Sequence, residues 1–153
     1  MCLELLLEAA DVGAAGGPLM DLGTGSGVLA IAAAKLGWDP VAGCDHEEPA
    51  LAAAAANARA NGVGLAVERI NLRAEPAPSG SRPSSRRPAP LLIEVADLLD
   101  PGRRPERMIV SGLLAGEADR VREAFARAGL RCEEVRESGD WAALRLAADR
   151  GGD

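Results

Sequence analysis

Seven residues, Asp21-Leu22-Gly23-Thr24-Gly25-Ser26-Gly27, restrict this chain more than any others. An apolar approach, Pro18-Leu19-Met20, leads in, and Val28 to Gly37 follows as a run of good helix formers. The pattern predicts strand, glycine turn, helix. Alternating glycines at 23, 25 and 27 let the backbone turn tightly and let a ligand approach it closely. The helix that follows starts with unpaired N–H groups and the positive end of its dipole beside that turn. Such a turn suits an anionic or carboxylate-bearing, nucleotide-like ligand.

The spacing is G-x-G-x-G, because position 28 is valine. This differs from the dinucleotide fingerprint G-x-G-x-x-G, and no Gly-Lys-Ser/Thr follows to make a phosphate-binding P-loop. A second apolar run, Val41-Ala42-Gly43-Cys44, ends in Asp45, 22 residues after Gly23 (45 − 23). In a strand–helix–strand unit that spacing brings the Asp45 carboxylate beside the glycine turn, where it can accept from two ribose hydroxyls. The bland alternative is a βα turn whose glycines serve only close packing. The acidic residue after the second strand argues against it.

Residues 2–10 read as a helix with no capping residue before it, so the domain is expected to be N-terminally truncated. After the second strand, Pro49 suits the first turn of an alanine-rich helix, which stops at Asn61-Gly62. Leu65 to Ile70 alternates as a third strand, closed by Asn71-Leu72. From Pro76 to Pro90 the composition breaks: five prolines, four serines and three arginines (Arg82, Arg86, Arg87) leave no hydrophobic period. Proline cannot join an interior ladder, so residues 76–90 are expected to be an irregular loop and the central fourth strand to be missing or disrupted. Its other reading is a basic docking segment. Leu91 to Leu99 is an amphipathic helix closed by Asp100-Pro101-Gly102, Arg107 to Gly112 a short strand, and Leu113-Leu114 to Gly116 a turn. In the helix Glu117–Ala128, Ala118, Val121, Phe125 and Ala128 share a face, and Glu123 and Arg127 form an i,i+4 pair. Leu130 to Arg136 and Trp141 to Leu146 make a closing hairpin about Ser138-Gly139-Asp140, and the tail from Ala147 is expected to fray. Strands alternating with helices imply an α/β fold, a mostly parallel sheet with helices on both faces and a C-terminal antiparallel hairpin strand.

A chain of 153 residues is of single-domain size, so residues 1–153 are expected to be one domain. Its net charge of −6, absence of tyrosine and single phenylalanine argue against direct nucleic-acid binding. Cys2, Cys44 and Cys132 are too scattered for a metal site or a disulfide framework, and reduced thiols fit a cytoplasmic protein. No apolar run reaches membrane-spanning length. His46 follows Asp45 but sits at the ribose end of the expected site, and no residue is assigned a catalytic role. Asp21 either orients the turn or a ligand amino group, or caps local N–H groups. Trp141 and Trp38 are expected to be packing residues, Trp38 at the surface, and Cys44 to be buried and inert.

The run Asp21 to Ala33, with Asp45, Asn61-Gly62, Ser111-Gly112-Leu113-Leu114 and Ser138-Gly139-Asp140-Trp141, resembles class I S-adenosylmethionine-dependent methyltransferases. It is most similar to the ribosomal protein L-eleven methyltransferase family. The likeness covers most of the chain except residues 76–90. It implies a Rossmann-like fold, S-adenosyl-L-methionine as cofactor, and a protein substrate, a ribosomal protein methylated on a lysine or its N-terminus. By the same likeness the glycine turn at Gly23, Gly25 and Gly27 faces the methionine part of the cofactor, and Asp21, Thr24 and Ser26 are counted with it as cofactor-binding residues. Asp45, with His46 beside it, holds the ribose hydroxyls, and Asn71 and Leu72 lie near the adenine.

The chain departs from the family pattern in two places. The substrate-recognition domain and threonine-rich loop that precede the first helix are not in this sequence. The fourth strand should end in an asparagine followed by an apolar residue, and residues 76–90 supply no asparagine. A short out-of-frame segment in a GC-rich gene would account for that composition. Two further readings therefore stand beside methyl transfer: a cofactor-binding remnant without activity, and an NAD-type domain, which the G-x-G-x-G spacing disfavours.

Overall fold

A computed structural model describes residues 1–72, 82–86, 89–99 and 104–149, with residues 82–86 described as backbone only. Seven strands form one sheet: β1 (Leu19–Leu22), β2 (Val41–Asp45), β3 (Ala66–Arg69), β4 (Arg82–Arg86), β5 (Arg107–Leu114), β6 (Leu130–Ser138) and β7 (Trp141–Ala148). Their spatial order is β3-β2-β1-β4-β5-β7-β6. The first five run parallel, and β7 pairs antiparallel with both β5 and β6. The chain winds outward from β1 to β3 and then crosses back to β4. That reversal is the switch point where ligands bind in such sheets.

Five helices cover the sheet. Of these, α1 (Cys2–Asp11), α2 (Val28–Lys35) and α3 (Glu48–Ala60) pack in succession on one face, and α4 (Ala89–Asp97) and α5 (Ala118–Arg127) pack together on the other. Alternation along β1 divides the core. Leu19 faces Leu6, Ala33 and Trp38 under the first group, while Met20 and Leu22 face Leu92, Val95 and Phe125 under the second. The alanines of α2 and α3 allow close approach: Ala30, Ala33 and Ala54 are fully buried. The N-terminus of α3 carries Pro49 as expected, and beyond Asn61 the chain turns at Gly62, φ +67°.

The expectation of a missing fourth strand is overturned. Arg82–Arg86 pairs with β1 from Leu19↔Arg82 to Leu22↔Ser85, and with β5 from Ser84↔Ile109 to Arg86↔Ser111. Pro83 lies one residue into the strand, before the β5 ladder begins, and the opening of a strand is where the sheet tolerates a residue without an N–H. Residues 76–81 and 87–88 of the expected loop, and the helix stop at Asp100–Gly102, lie outside the described residues.

Other boundaries shift for local reasons. Leu113 and Leu114 continue β5 instead of turning. Gly112, at φ +85°, takes up a bulge that returns Leu113 to the core. The turn follows as a 3₁₀ segment, Ala115–Glu117. Ala147 and Ala148 do not fray, because both pair in β7. On α5 the ion pair is Arg122–Asp119, at 3.0 Å, in place of Glu123–Arg127, and Ala124 replaces Ala128 on the buried face. Trp38 is a core residue, 3% exposed, because α1 closes over it. Trp141 is the reverse: it is 52% exposed, and Ala142 beside it takes the core position of the alternation.

Candidate functional site

The glycine turn joins β1 to α2 at the switch point. It is tied at once to β2: the N–H groups of Gly23 and Thr24 both donate to the Cys44 carbonyl, at 2.8 and 2.9 Å. Gly23, Gly25 and Gly27 have φ of +76°, +54° and +84°, a region that side-chain-bearing residues enter at a cost of about 1–2 kcal/mol each. Gly27 is the N-cap of α2, and its missing side chain matters twice, since a Cβ there would lie 3.1 Å from Ala54 Cβ. The turn is thus clamped between α2 and α3, with its first helical N–H groups directed into the crevice.

Beneath the turn, the Thr24 hydroxyl donates to Asp21 Oδ2 at 2.9 Å, and both residues are buried. Space for Thr24 exists because position 43 is glycine. A Cβ there would meet Thr24 Oγ1 at 2.8 Å. Asp45, at the end of β2, is 7% exposed. Its Oδ2 accepts from Gly25 N at 3.1 Å, and its Oδ1 from His46 N at 2.7 Å and Glu47 N at 3.2 Å. One carboxylate therefore closes the glycine turn onto the β2–α3 loop. The His46 ring is exposed, with Nδ1 3.1 Å from Asp45 Oδ1, and Arg69 Nε donates to the His46 carbonyl at 3.2 Å. Ile70 N donates to the Asp45 carbonyl at 3.0 Å, which brings Asn71 and Leu72 to the same end of the sheet; Leu72 is buried and Asn71 exposed.

Every residue singled out in the sequence for this site thus gathers at the carboxyl ends of β1, β2 and β3. Asn57 is an addition. From α3 its Nδ2 donates to the Ser26 carbonyl at 2.9 Å and fixes the far side of the turn. The only hint in the sequence was one uncharged polar residue inside an alanine-rich helix. At the same end of the sheet, the exposed pair Leu114↔Trp141 forms a lip. Glu117 Oε2 accepts from Leu114 N at 2.9 Å and Ala115 N donates to the Asp140 carbonyl at 2.9 Å. The turn is bounded by carboxylates, Asp21 beneath it and Asp45 bonded to it. That favours a ligand presenting hydroxyl and ammonium donors and disfavours a pyrophosphate. Among the described residues no cluster of His, Cys, Asp and Glu is placed to hold a metal ion, and no helix is long and apolar enough to cross a membrane.

Comparison with known proteins gives a consistent picture. The family model described as Ribosomal protein L11 methyltransferase (PrmA) matches residues 1–149. The ribosomal protein L11 methyltransferase of Syntrophotalea carbinolica is 35% identical over 152 residues, covering 94% of this chain and 48% of its own length. That of Methylococcus capsulatus is 40% identical over 155 residues, covering 98% of this chain and 50% of its own length. The crystal structure of the ribosomal protein L11 methylase from Lactobacillus delbrueckii subsp. bulgaricus superposes with a TM-score of 0.83 at 26% identity, over 96% of this chain and 78% of that one. The chain spans about half the length of the curated relatives it matches.

Proposed function

This chain belongs to the ribosomal protein L11 methyltransferase family, and from that premise we propose that it binds S-adenosyl-L-methionine and serves methyl transfer to a protein amine, a lysine or the N-terminus of a ribosomal protein. The observation that carries the reading is the Asp45 carboxylate locked onto Gly25 N. It presents acceptors to ribose hydroxyls at the point where the backbone N–H groups of the turn face the methionine carboxylate. Asp21 and Thr24 stiffen the floor of that turn. Ser26 and Gly27 open the helix behind it, His46 borders the ribose, and Asn71 and Leu72 flank the adenine.

The turn and Asp45 would hold the cofactor, which would supply an electrophilic methyl on a sulfonium; a lysine ammonium would have to lose its proton to solvent before its nitrogen could accept that methyl. What the chain contributes is position and the exclusion of water, which together account for most of such a rate enhancement. On the substrate side, the exposed face of Trp141 suits an incoming lysine ammonium through its ring quadrupole. Glu117 and Asp140 set a negative border around it. This reading places the protein in the cytoplasm and includes no nucleic-acid contact.

A second reading, binding without transfer, is favoured by one observation: β4 ends at Arg86, and the last asparagine of the chain is Asn71. Calorimetric titration with S-adenosylmethionine and its demethylated product tests the common premise. Micromolar binding by the wild-type chain, lost in Asp45→Ala, is expected, and a folded wild-type chain that binds neither compound refutes it. Labelled methyl appearing on ribosomal protein then separates transfer from binding alone.

A further inference from the structure

The helix α1 is loosely seated. Of its ten residues it buries Cys2, Leu5 and Leu6, while Leu3 and Leu7 are 41% and 48% exposed. Beneath it a cavity of about 200 Å³ parts Leu6, Ala9 and Val12 on one side from Leu19, Trp38 and Ile109 on the other. An unfilled space deprives its lining of contacts on one side. Trp38 Nε1 is buried and has no hydrogen-bond partner, and an unpaired buried donor bears its desolvation cost without compensation. The linker from α1 to β1 is loose as well. Gly16 and Gly17 stand at φ +106° and +73°, and no atom lies within 4 Å of where a Cβ would sit on either. Two adjacent glycines with nothing packed against them can absorb a change of backbone direction.

Among the described residues one ion pair joins α1 to the rest of the fold. Arg136 of β6 donates to Glu8 Oε1 from Nη1 and to Glu8 Oε2 from Nη2, both at 2.8 Å. Arg136 also bonds Glu134, whose Oε2 lies 3.0 Å from Arg145 Nη2 of β7. The hairpin thus holds the guanidinium in place, and the helix docks onto it through Glu8. Both partners stay in reach of solvent, Glu8 at 46% and Arg136 at 25% exposure, so dissolved salt weakens their attraction.

We infer that α1 is a hinged strap that swings off the sheet about residues 16 and 17 as one unit while the seven strands stay paired, with the Glu8–Arg136 pair as its catch. The helix supplies no strand, so its departure breaks no ladder. Opening bares Leu6, Leu19 and Trp38 to water and relieves the unpaired indole N–H. Segments with few buried apolar contacts are the ones that open below the global unfolding free energy. The face beneath α1 therefore changes from covered to accessible without loss of the fold, and ionic strength sets how often. The device is independent of the methyl-transfer reading, since no residue of α1 belongs to the glycine-turn site.

Native-state hydrogen exchange of the whole chain, followed amide by amide in rising sub-denaturing urea, tests the strap. The amides of residues 5–12 are expected to share one opening equilibrium. After correction for intrinsic rates they should exchange at least about tenfold faster than those of β5 and β7. They should also respond weakly to urea, because a local opening exposes little surface. Arg136→Gln should speed α1 exchange by about threefold, the size of a solvated ion pair, without steepening its urea response. Raising NaCl from about 50 mM to about 500 mM should do the same in wild type and leave Arg136→Gln unmoved. Exchange of α1 in step with β5, at the same steep urea dependence, overturns the inference. So does protection graded along the helix from one end, or an α1 rate that neither Arg136→Gln nor salt changes.

Discussion

Gly43→Ala is the substitution that best separates the geometry described here from a general tolerance of small residues. Gly43 sits in β2 opposite Asp21, and an added methyl would stand 2.8 Å from Thr24 Oγ1 and 2.9 Å from Thr24 Cβ. Neither atom is the end of a flexible side chain, so Thr24 must leave its place and release Asp21. Overpacking of this kind costs about 1–3 kcal/mol, and loss of a buried hydrogen bond to a carboxylate about 1.5–3 kcal/mol. Replacing glycine restricts the unfolded chain and returns about 0.4–1 kcal/mol. The net expectation is a loss of about 1.5–5.5 kcal/mol, a large part of the roughly 5–15 kcal/mol typical of a domain. Urea unfolding followed through buried Trp38 measures it as a lower midpoint at unchanged slope. Gly25→Ala is the control: nothing lies within 4 Å of its Cβ, and only its φ of +54° is at stake, about 1–2 kcal/mol. Gly43→Ala should weaken S-adenosylmethionine binding and stability together, and Gly25→Ala mainly binding. A Gly43→Ala protein within about 0.5 kcal/mol of wild type, or one more stable than Gly25→Ala, would refute the packing account of the turn.

Asn57→Ala removes the bond to the Ser26 carbonyl, worth about 0.5–1.5 kcal/mol, but improves helix propensity at an exposed site. Calorimetry should show cofactor affinity down by up to about tenfold with an unchanged melting temperature. Trp141→Ala, at a 52% exposed position, should leave stability and cofactor affinity alone, and under the proposed methyl-transfer function it should raise KM for the protein substrate, read by methyl incorporation. The hydrogen bond from Arg136 to Glu8 holds the Glu8 carboxyl below its ordinary value. Its stabilisation is therefore complete above the unfolded value of about 4.3 and is lost as pH falls through the lower folded value. Thermal melts of Arg136→Gln should accordingly show a shallower decline than wild type between about pH 5 and pH 3, and parallel declines would discount the pair.

The glycine turn and Asp45 were legible in the sequence because their demands are local. Three left-handed positions leave little choice but glycine, and a strand–helix–strand unit fixes where the next strand ends. The closing hairpin was legible for the same reason, through Gly139 and Asp140 between Ser138 and Trp141. What escaped depends on neighbours far along the chain. The backbone of Arg82–Arg86 is a strand because β1 and β5 flank it on both sides, while its own composition favours none. Trp38 follows a helix stop, a surface signal, yet α1 closes over it. Trp141 begins an apolar strand, a core signal, yet falls on the uncovered side of the alternation. Asn57 becomes informative only when α3 is laid against the glycine turn.

The insertion of β7 between β5 and β6 sets a timetable for assembly. Residues 1–114 can align five parallel strands, but the outer edge of β5 has no partner until residues 141–148 arrive. Until then an open row of amide groups borders apolar positions that Leu144 and Leu146 are needed to seal. The late hairpin is itself local, with two residues in its turn, so it forms quickly and docks as a finished unit. A nascent or truncated chain that stops short of Trp141 presents an adhesive edge in place of a closed sheet. Its fate is then set by the race between hairpin docking and self-association.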